Sequence, residues 1–185
     1  MVGLLSDGEK SVKGKSIINR IYQTTYRLKL FLNFMLGICS LIYVPGLASK
    51  ETQRHEVFFI AAEKCDKPTL LKQIETNVDI NKLTPTGYTA LMLAANNGHP
   101  SCVKLLLAHG AKVEIQGIGG TTALMLASSQ DHLTSMKPLL DSKASVHQQD
   151  LSGDTAMHYA AAAGRREVIM LLINYGAKIN QPAKN

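Results

Sequence analysis

The sequence predicts an all-α chain, a solenoid of stacked helix pairs with protruding turns behind an amino-terminal hydrophobic helix that acts as signal or anchor. Gly87, Gly120 and Gly153 lie 33 residues apart, and each opens the same run of small and apolar residues. Aromatic residues make up 5% of the chain and Trp is absent, while Ala and Leu are plentiful. That composition suits helices packed closely through small side chains better than a β-sandwich. A third observation, the apolar run from Leu30 to Val44, supplies the leader.

The repeat is legible position by position. Gly87-Tyr88-Thr89-Ala90-Leu91-Met92-Leu93-Ala94-Ala95 is matched by Gly120-Thr121-Thr122-Ala123-Leu124-Met125-Leu126-Ala127-Ser128 and by Gly153-Asp154-Thr155-Ala156-Met157-His158-Tyr159-Ala160-Ala161. Val103, Leu106 and Leu107 then correspond to Met136, Leu139 and Leu140 and to Ile169, Leu172 and Ile173. The units close on Gly110-Ala111, Lys143-Ala144 and Gly176-Ala177. A fixed period of this length implies supersecondary units that cannot bury their apolar faces alone and must stack.

Each unit has a physical reading. The opening glycine turns the chain where a Cβ would be penalised. Thr89, Thr122 and Thr155 stand where a hydroxyl caps the first helix. A break at Gly98, Asp131 or Gly164 leads into a second helix, which Gly110 or Gly176 ends in a left-handed cap. A worn copy precedes these units, with Phe59-Ile60-Ala61-Ala62, Leu70, Ile74 and Asn77 in matching places. Its polar surroundings suit an amino-terminal capping repeat.

The motif G-x-T-A-L-M-L-A-A, with V-x-x-L-L-x-x-G-A-x-V after it, resembles the ankyrin repeat, with Ala90, Ala123 and Ala156 where that family usually has Pro. The family's His survives only as His158, so the units carrying Met92 and Met125 are expected to exchange a Thr–His tie for apolar packing. The resemblance divides the chain into a cap at about 52–83 and full repeats at about 84–116, 117–149 and 150–182, within a domain of residues 49–185. It implies a scaffold that recognises another protein through turn tips and a concave helix face. Carried over by position, the contact residues are Pro85, Thr86, Tyr88, Asn96 and Asn97; Ile118, Thr121, Ser129 and Gln130; and Leu151, Ser152, Asp154, Ala162 and Ala163. For Tyr88, Ile118 and Leu151, packing between neighbouring turn tips is an equal alternative.

Two departures from the pattern predict a soft unit at 117–149. Pro138 falls within the second helix, where proline is costly, whereas Pro68 and Pro100 fall in helix first turns and are tolerated. Asp131 and Lys143 stand where glycine is expected. Met170 and Leu171 lie in a last helix with no repeat after it, an end through which an otherwise monomeric chain can associate.

The formal charge of +6 is uneven. Residues 1–48 carry Lys10, Lys13, Lys15, Arg20, Arg27 and Lys29 against Asp7 and Glu9, which leaves +2 for the remainder of the chain. Scattered basic residues make no nucleic-acid face. Arg27 and Lys29, the apolar run, Pro45, and small residues at Gly46 and Ala48 have the layout of a secretory signal cleaved before Ser49. The run is short for a comfortable span, although an uncleaved anchor drawing in Leu28 and Leu47 is an alternative. Residues 28–48 are thus signal peptide or anchor and the one expected membrane contact. A polar flank as long as residues 1–27 is unusual, so translation is expected to begin near Leu28. The charge bias places the repeats outside the cytoplasm, periplasmic, secreted or tethered by a single pass.

No cofactor or metal is expected. The six histidines lack metal-site spacing and no Cys-x-x-Cys occurs. Gly117-Ile118-Gly119-Gly120 reads as an inter-repeat turn because it lacks the Lys of a phosphate loop. Cys65 and Cys102 fall in adjacent repeats displaced by about a turn, and no bridge between them is expected. The favoured function is therefore protein binding. An accessory or stress-protective factor for one periplasmic enzyme is a narrower reading, and a repeat-fold enzyme has only composition behind it.

Overall fold

The computed structural model describes residues 50–179, and the leader and start-site expectations lie outside them. Eight α-helices occur among these residues: α1 (Lys50–Lys64), α2 (Lys67–Glu75), α3 (Ala90–Asn96), α4 (Pro100–Ala108), α5 (Ala123–Ser129), α6 (Leu133–Asp141), α7 (Ala156–Ala162) and α8 (Arg166–Asn174). A single 3-10 turn, Ile118–Gly120, precedes α5. No strand appears among the described residues. The inner helices α1, α3, α5 and α7 pack in series, and the outer helices α2, α4, α6 and α8 lie behind them.

Small residues let the inner row pack tightly. Ala90, Ala94, Ala95 and Ala127 are completely buried, and Leu91 and Leu124 are nearly so. The outer helices contribute Leu70, Val103, Leu106, Leu139 and Leu172 from behind. These residues form one continuous core. Burying a Leu stabilises by about 1.5–3 kcal/mol, and here that burial requires the neighbouring unit.

The helix ends follow their sequence signals. Thr89 and Thr122 accept the amides of Met92 and Met125 at 3.2 and 3.3 Å. In the third unit Nδ1 of His158 accepts the Thr155 amide at 3.1 Å, and the Thr155 hydroxyl lies 2.9 Å away. The amide can only donate, so Nδ1 carries no proton and the hydroxyl donates as well. Where Met replaces this His the polar tie is not wholly lost. The amides of Thr89 and Thr122 point at the Met92 and Met125 sulfurs at 3.5 and 3.4 Å. A thioether is a weak acceptor, and both side chains are 1% exposed, so packing and a weak tie act together.

The expectation about Cys65 and Cys102 is overturned. They form a disulfide, with Cα atoms 5.6 Å apart. The one-turn displacement is spanned because the left-handed break, φ 56° at Cys65, lies against the start of the next outer helix, as the break at Gly98, φ 70°, lies against His132. Cys102 lies in the first turn of α4. A bridge spanning 37 residues removes about 4 kcal/mol worth of unfolded-state freedom in a chain-entropy treatment.

The unit of α5 and α6 carries the departures seen in the sequence. Asp131 and Lys143 hold φ values of 65° and 66° without being glycine, a conformation that costs a side-chain-bearing residue about 1–2 kcal/mol. Pro138 lies inside α6, which still spans nine residues. Its ring is buried, while Thr134, whose carbonyl loses an amide partner, is exposed to water. Lys143→Gly is expected to raise stability by about 0.5–1 kcal/mol. Pro138→Ala gains about 3 kcal/mol of helix preference and loses about 2 through the missing ring carbons, for a net gain of about 1. Urea unfolding midpoints check both values, and a fall for either variant would show that the strain lies elsewhere.

Candidate functional site

The turns between units form a hydrogen-bonded ladder. Each closes on itself: the amides of Thr84, Gly117 and Asp150 donate to the carbonyls of Tyr88, Thr121 and Asp154 at 2.8, 2.8 and 2.9 Å. Successive turns are then joined, Ile118 N to Gly87 O at 3.2 Å and Leu151 N to Gly119 O at 2.9 Å. Gly87 has φ 73°, and a Cβ there would collide with the Ile118 side chain. Both the backbone conformation and the approach of the next turn require glycine at that place.

Side chains reinforce the ladder. Gln116 Nε2 donates to Gly120 O at 3.0 Å and to Gln149 O at 2.9 Å, while Gln149 Nε2 donates to Gly153 O at 3.0 Å. In the last turn the buried Asp150 is a hub. Its Oδ1 accepts the amides of Ser152 and Asp154 at 2.8 and 2.9 Å, and its Oδ2 accepts the Tyr159 hydroxyl at 2.8 Å. Burial, then the bond to Asp150 and its charge, push the Tyr159 hydroxyl well above the usual tyrosine range.

The expected contact residues separate into three groups on this frame. Pro85, Thr86, Ile118, Leu151 and Ser152 stand exposed at the tips. Pro85, Ile118 and Leu151 occupy the same place in successive units and form an apolar row, with Ile118 65% and Leu151 79% exposed. Ile118 nevertheless packs over Gly87, so tip packing occurs there although most of the side chain stays exposed. Tyr88, Thr121 and Asp154 are half-buried. The Tyr88 amide donates to Thr84 Oγ1 at 3.0 Å, and Thr121 Oγ1 donates to Ile118 O at 3.0 Å.

The third group lies at the ends of the inner helices. Asn96 is half-buried, and Asn97 Nδ2 donates back to Leu93 O at 2.9 Å. Ser129 Oγ donates to Leu126 O at 2.8 Å, and Gln130 extends beside it. Ala162 and Ala163 are exposed. Asn97 and Ser129 thus close their own helices. The sequence did not single out Gln116 and Gln149 as turn ties, although they lie one period apart. Asp150 gave no periodic signal because its counterparts are Thr84 and Gly117.

Two histidines and an arginine link units behind this surface. His99 Nε2 donates to Glu63 O at 2.9 Å, and Arg165 Nε to Ser129 O at 3.3 Å. The His132 ring lies against Gly98, where an added Cβ would be 2.6 Å from Nδ1. His158 is the Thr155 partner already described. No group of three or more His, Cys, Asp or Glu residues that could hold a metal occurs among the described residues.

The profile of the family described as Ankyrin repeats (3 copies) matches residues 58–150 and again residues 120–183. The chain belongs to the ankyrin-repeat family. Among curated protein sequences, none matches it. Ankyrin-repeat domains are in general modules that bind other proteins and do not catalyse reactions. In this ankyrin stack, the rigid ladder presents the exposed apolar tips while the inner helices fix their spacing.

Ionising Tyr159 breaks its donation to buried Asp150, which gives the turn a pH dependence. Its folded value lies above the unfolded one of about 10, so its contribution is complete below about pH 10 and is lost as pH rises further. Urea midpoints are expected to fall between pH 9 and pH 11, roughly, and to fall less steeply in Tyr159→Phe. Equal slopes for the two proteins would remove Tyr159 from the linkage.

Proposed function

We propose that this ankyrin-repeat chain recognises a protein partner outside the cytoplasm, with the turn-tip row as the centre of the contact. The observation that carries the reading is the exposure of Ile118 and Leu151 on turns held by backbone bonds. An exposed apolar row on a rigid support loses little conformational entropy on binding. Its surroundings are hydroxyl, amide and small apolar groups at Thr86, Thr121, Ser152 and Gln130. Interfaces with proteins favour an uncharged centre of this kind over the basic face that nucleic acid requires.

Display outside the cytoplasm is supported by two independent features. The Cys65–Cys102 bridge suits an oxidising compartment. The basic flank and apolar run of residues 27–48 suit an export signal or anchor. Among the described residues no helix is long and apolar enough to cross a membrane.

The variant Ile118→Ser with Leu151→Ser is expected to weaken capture of the native partner on the order of tenfold or more while far-UV helicity stays unchanged. Unchanged capture would take the tips out of the interface. Amino-terminal sequencing of the chain from fractionated native cells tests its location, with a start at Ser49 or near Leu28 expected in an extracytoplasmic fraction. A cytoplasmic chain that retains residues 1–27 would overturn the export reading and leave the binding surface standing.

A further inference from the structure

We propose that the Cys65–Cys102 disulfide is a redox latch on the amino-terminal helix pair, which a dithiol reductant opens to release α1 and α2 while the later repeats stay folded. The bond crosses one seam of the stack, from the α1–α2 link to the first turn of α4. One period on, the equivalent places hold Gly98 and Ser135, and then Asp131 and Val168. Those seams have no covalent tie. The latch therefore acts on the end unit alone, which has a neighbour on one side only among the described residues. End units of a repeat stack open first because their stability depends on a single interface.

The two sulfurs differ in access. Cys65 is partly exposed, whereas Cys102 is completely buried. A reductant thiolate attacks Cys65 Sγ, forming a mixed disulfide and expelling Cys102 as thiolate. Cys102 then takes a proton from solvent. The reductant's second thiolate attacks its own sulfur in the mixed disulfide, and Cys65 leaves. The chain gains two electrons and two protons, and the reductant becomes a disulfide. Ser101 Oγ, 3.5 Å from Cys65 Sγ, is placed to donate to the departing Cys65 sulfur.

Opening also removes a constraint on the backbone. Cys65 holds φ 56° at the place that Gly98, Asp131 and Gly164 occupy in later units. A residue with a Cβ holds that conformation at a cost, as Asp131 does two units on without a bridge. Moving Cys65 draws on the same link that positions Asp66 as cap of α2. His99 to Glu63 and Asn81 to Gly110 also tie the stack to this helix pair across the seam, together with the Lys112 amide on Asn81 Oδ1. Since α1 packs on α3, its release uncovers the apolar side of α3.

The test is hydrogen exchange with mass detection on the full chain, with and without dithiothreitol, alongside Cys65→Gly and Cys65→Ser/Cys102→Ser. Thiol alkylation with peptide mapping separates Cys39 from the pair. Reduction is expected to lower amide protection in residues 50–83 on the order of a hundredfold. Residues 123–174 should change by less than roughly threefold. The double variant should match the reduced chain and ignore the reductant. Cys65→Gly, which suits the left-handed place, should lose cap protection less than the double variant. Two free thiols at Cys65 and Cys102 in the isolated native chain would overturn the proposal. So would cap protection unchanged by reduction, or an equal loss across all repeats. If the double variant fails to fold, the reductant arm on the unaltered chain still decides.

Discussion

Burial between neighbouring units is the constraint on which everything else in this chain rests, because no helix pair here encloses a core of its own. An inner helix of seven residues such as α3 has too little surface to bury Leu91 and Met92 without α1 on one side and α5 on the other. Alanines at 90, 94 and 95 bring the helices close enough for those contacts to be made. The contrast with the last described unit shows the dependence directly. Ala95 and Ser128 are completely buried, whereas Ala161, one period later, is exposed. Val146 is 7% exposed and its counterpart Ile179 is 71% exposed. The same residue positions change environment with the presence of a neighbour.

Stacking also explains why the seams carry different secondary ties. A helix end leaves carbonyls without intrahelical partners, and the following unit supplies donors to them. His99 reaches Glu63 and Arg165 reaches Ser129 in this way. At the middle seam the His132 ring instead lies over Gly98. Only the first seam adds a covalent bond, at the unit whose left-handed closing residue is Asn77 rather than glycine. Its inner helix α1 is also longer, at 15 residues against seven, and extends the helix beyond the part that stacks.

Most of the fold was legible because a repeated environment writes a repeated sequence. Thr at 89, 122 and 155, and glycine at 87, 120 and 153, are the same physical requirement three times over. The left-handed positions were legible even where the residue was wrong, at Asp131 and Lys143, because the period located them. What the period did not reveal were features that occur once. The disulfide needs cysteine at both Cys65 and Cys102, and the places one period on hold Gly98 and Ser135. The Asp150 hub joins residues nine apart through a tyrosine hydroxyl, and nothing in the other units announces it. The Met92 and Met125 sulfurs were read as packing alone, although their distance to the threonine amides reflects the same helix start that His158 serves.

The candidate surface follows the same division between what repeats and what does not. Backbone closure of the turns is shared by all three units, so it belongs to the scaffold. Side chains at the tips differ, Pro85, Ile118 and Leu151, and removing them leaves the closing bonds intact because those bonds run through main-chain atoms. Asn97 and Ser129 are different, since their side chains close the helices that carry them. Replacing either one disturbs the support together with the contact. The tips are thus the part of the surface free to vary without disturbing the scaffold, and the helix ends are the part tied to the stack. On the proposed reading, a partner would gain its specificity at the positions whose loss costs the fold least.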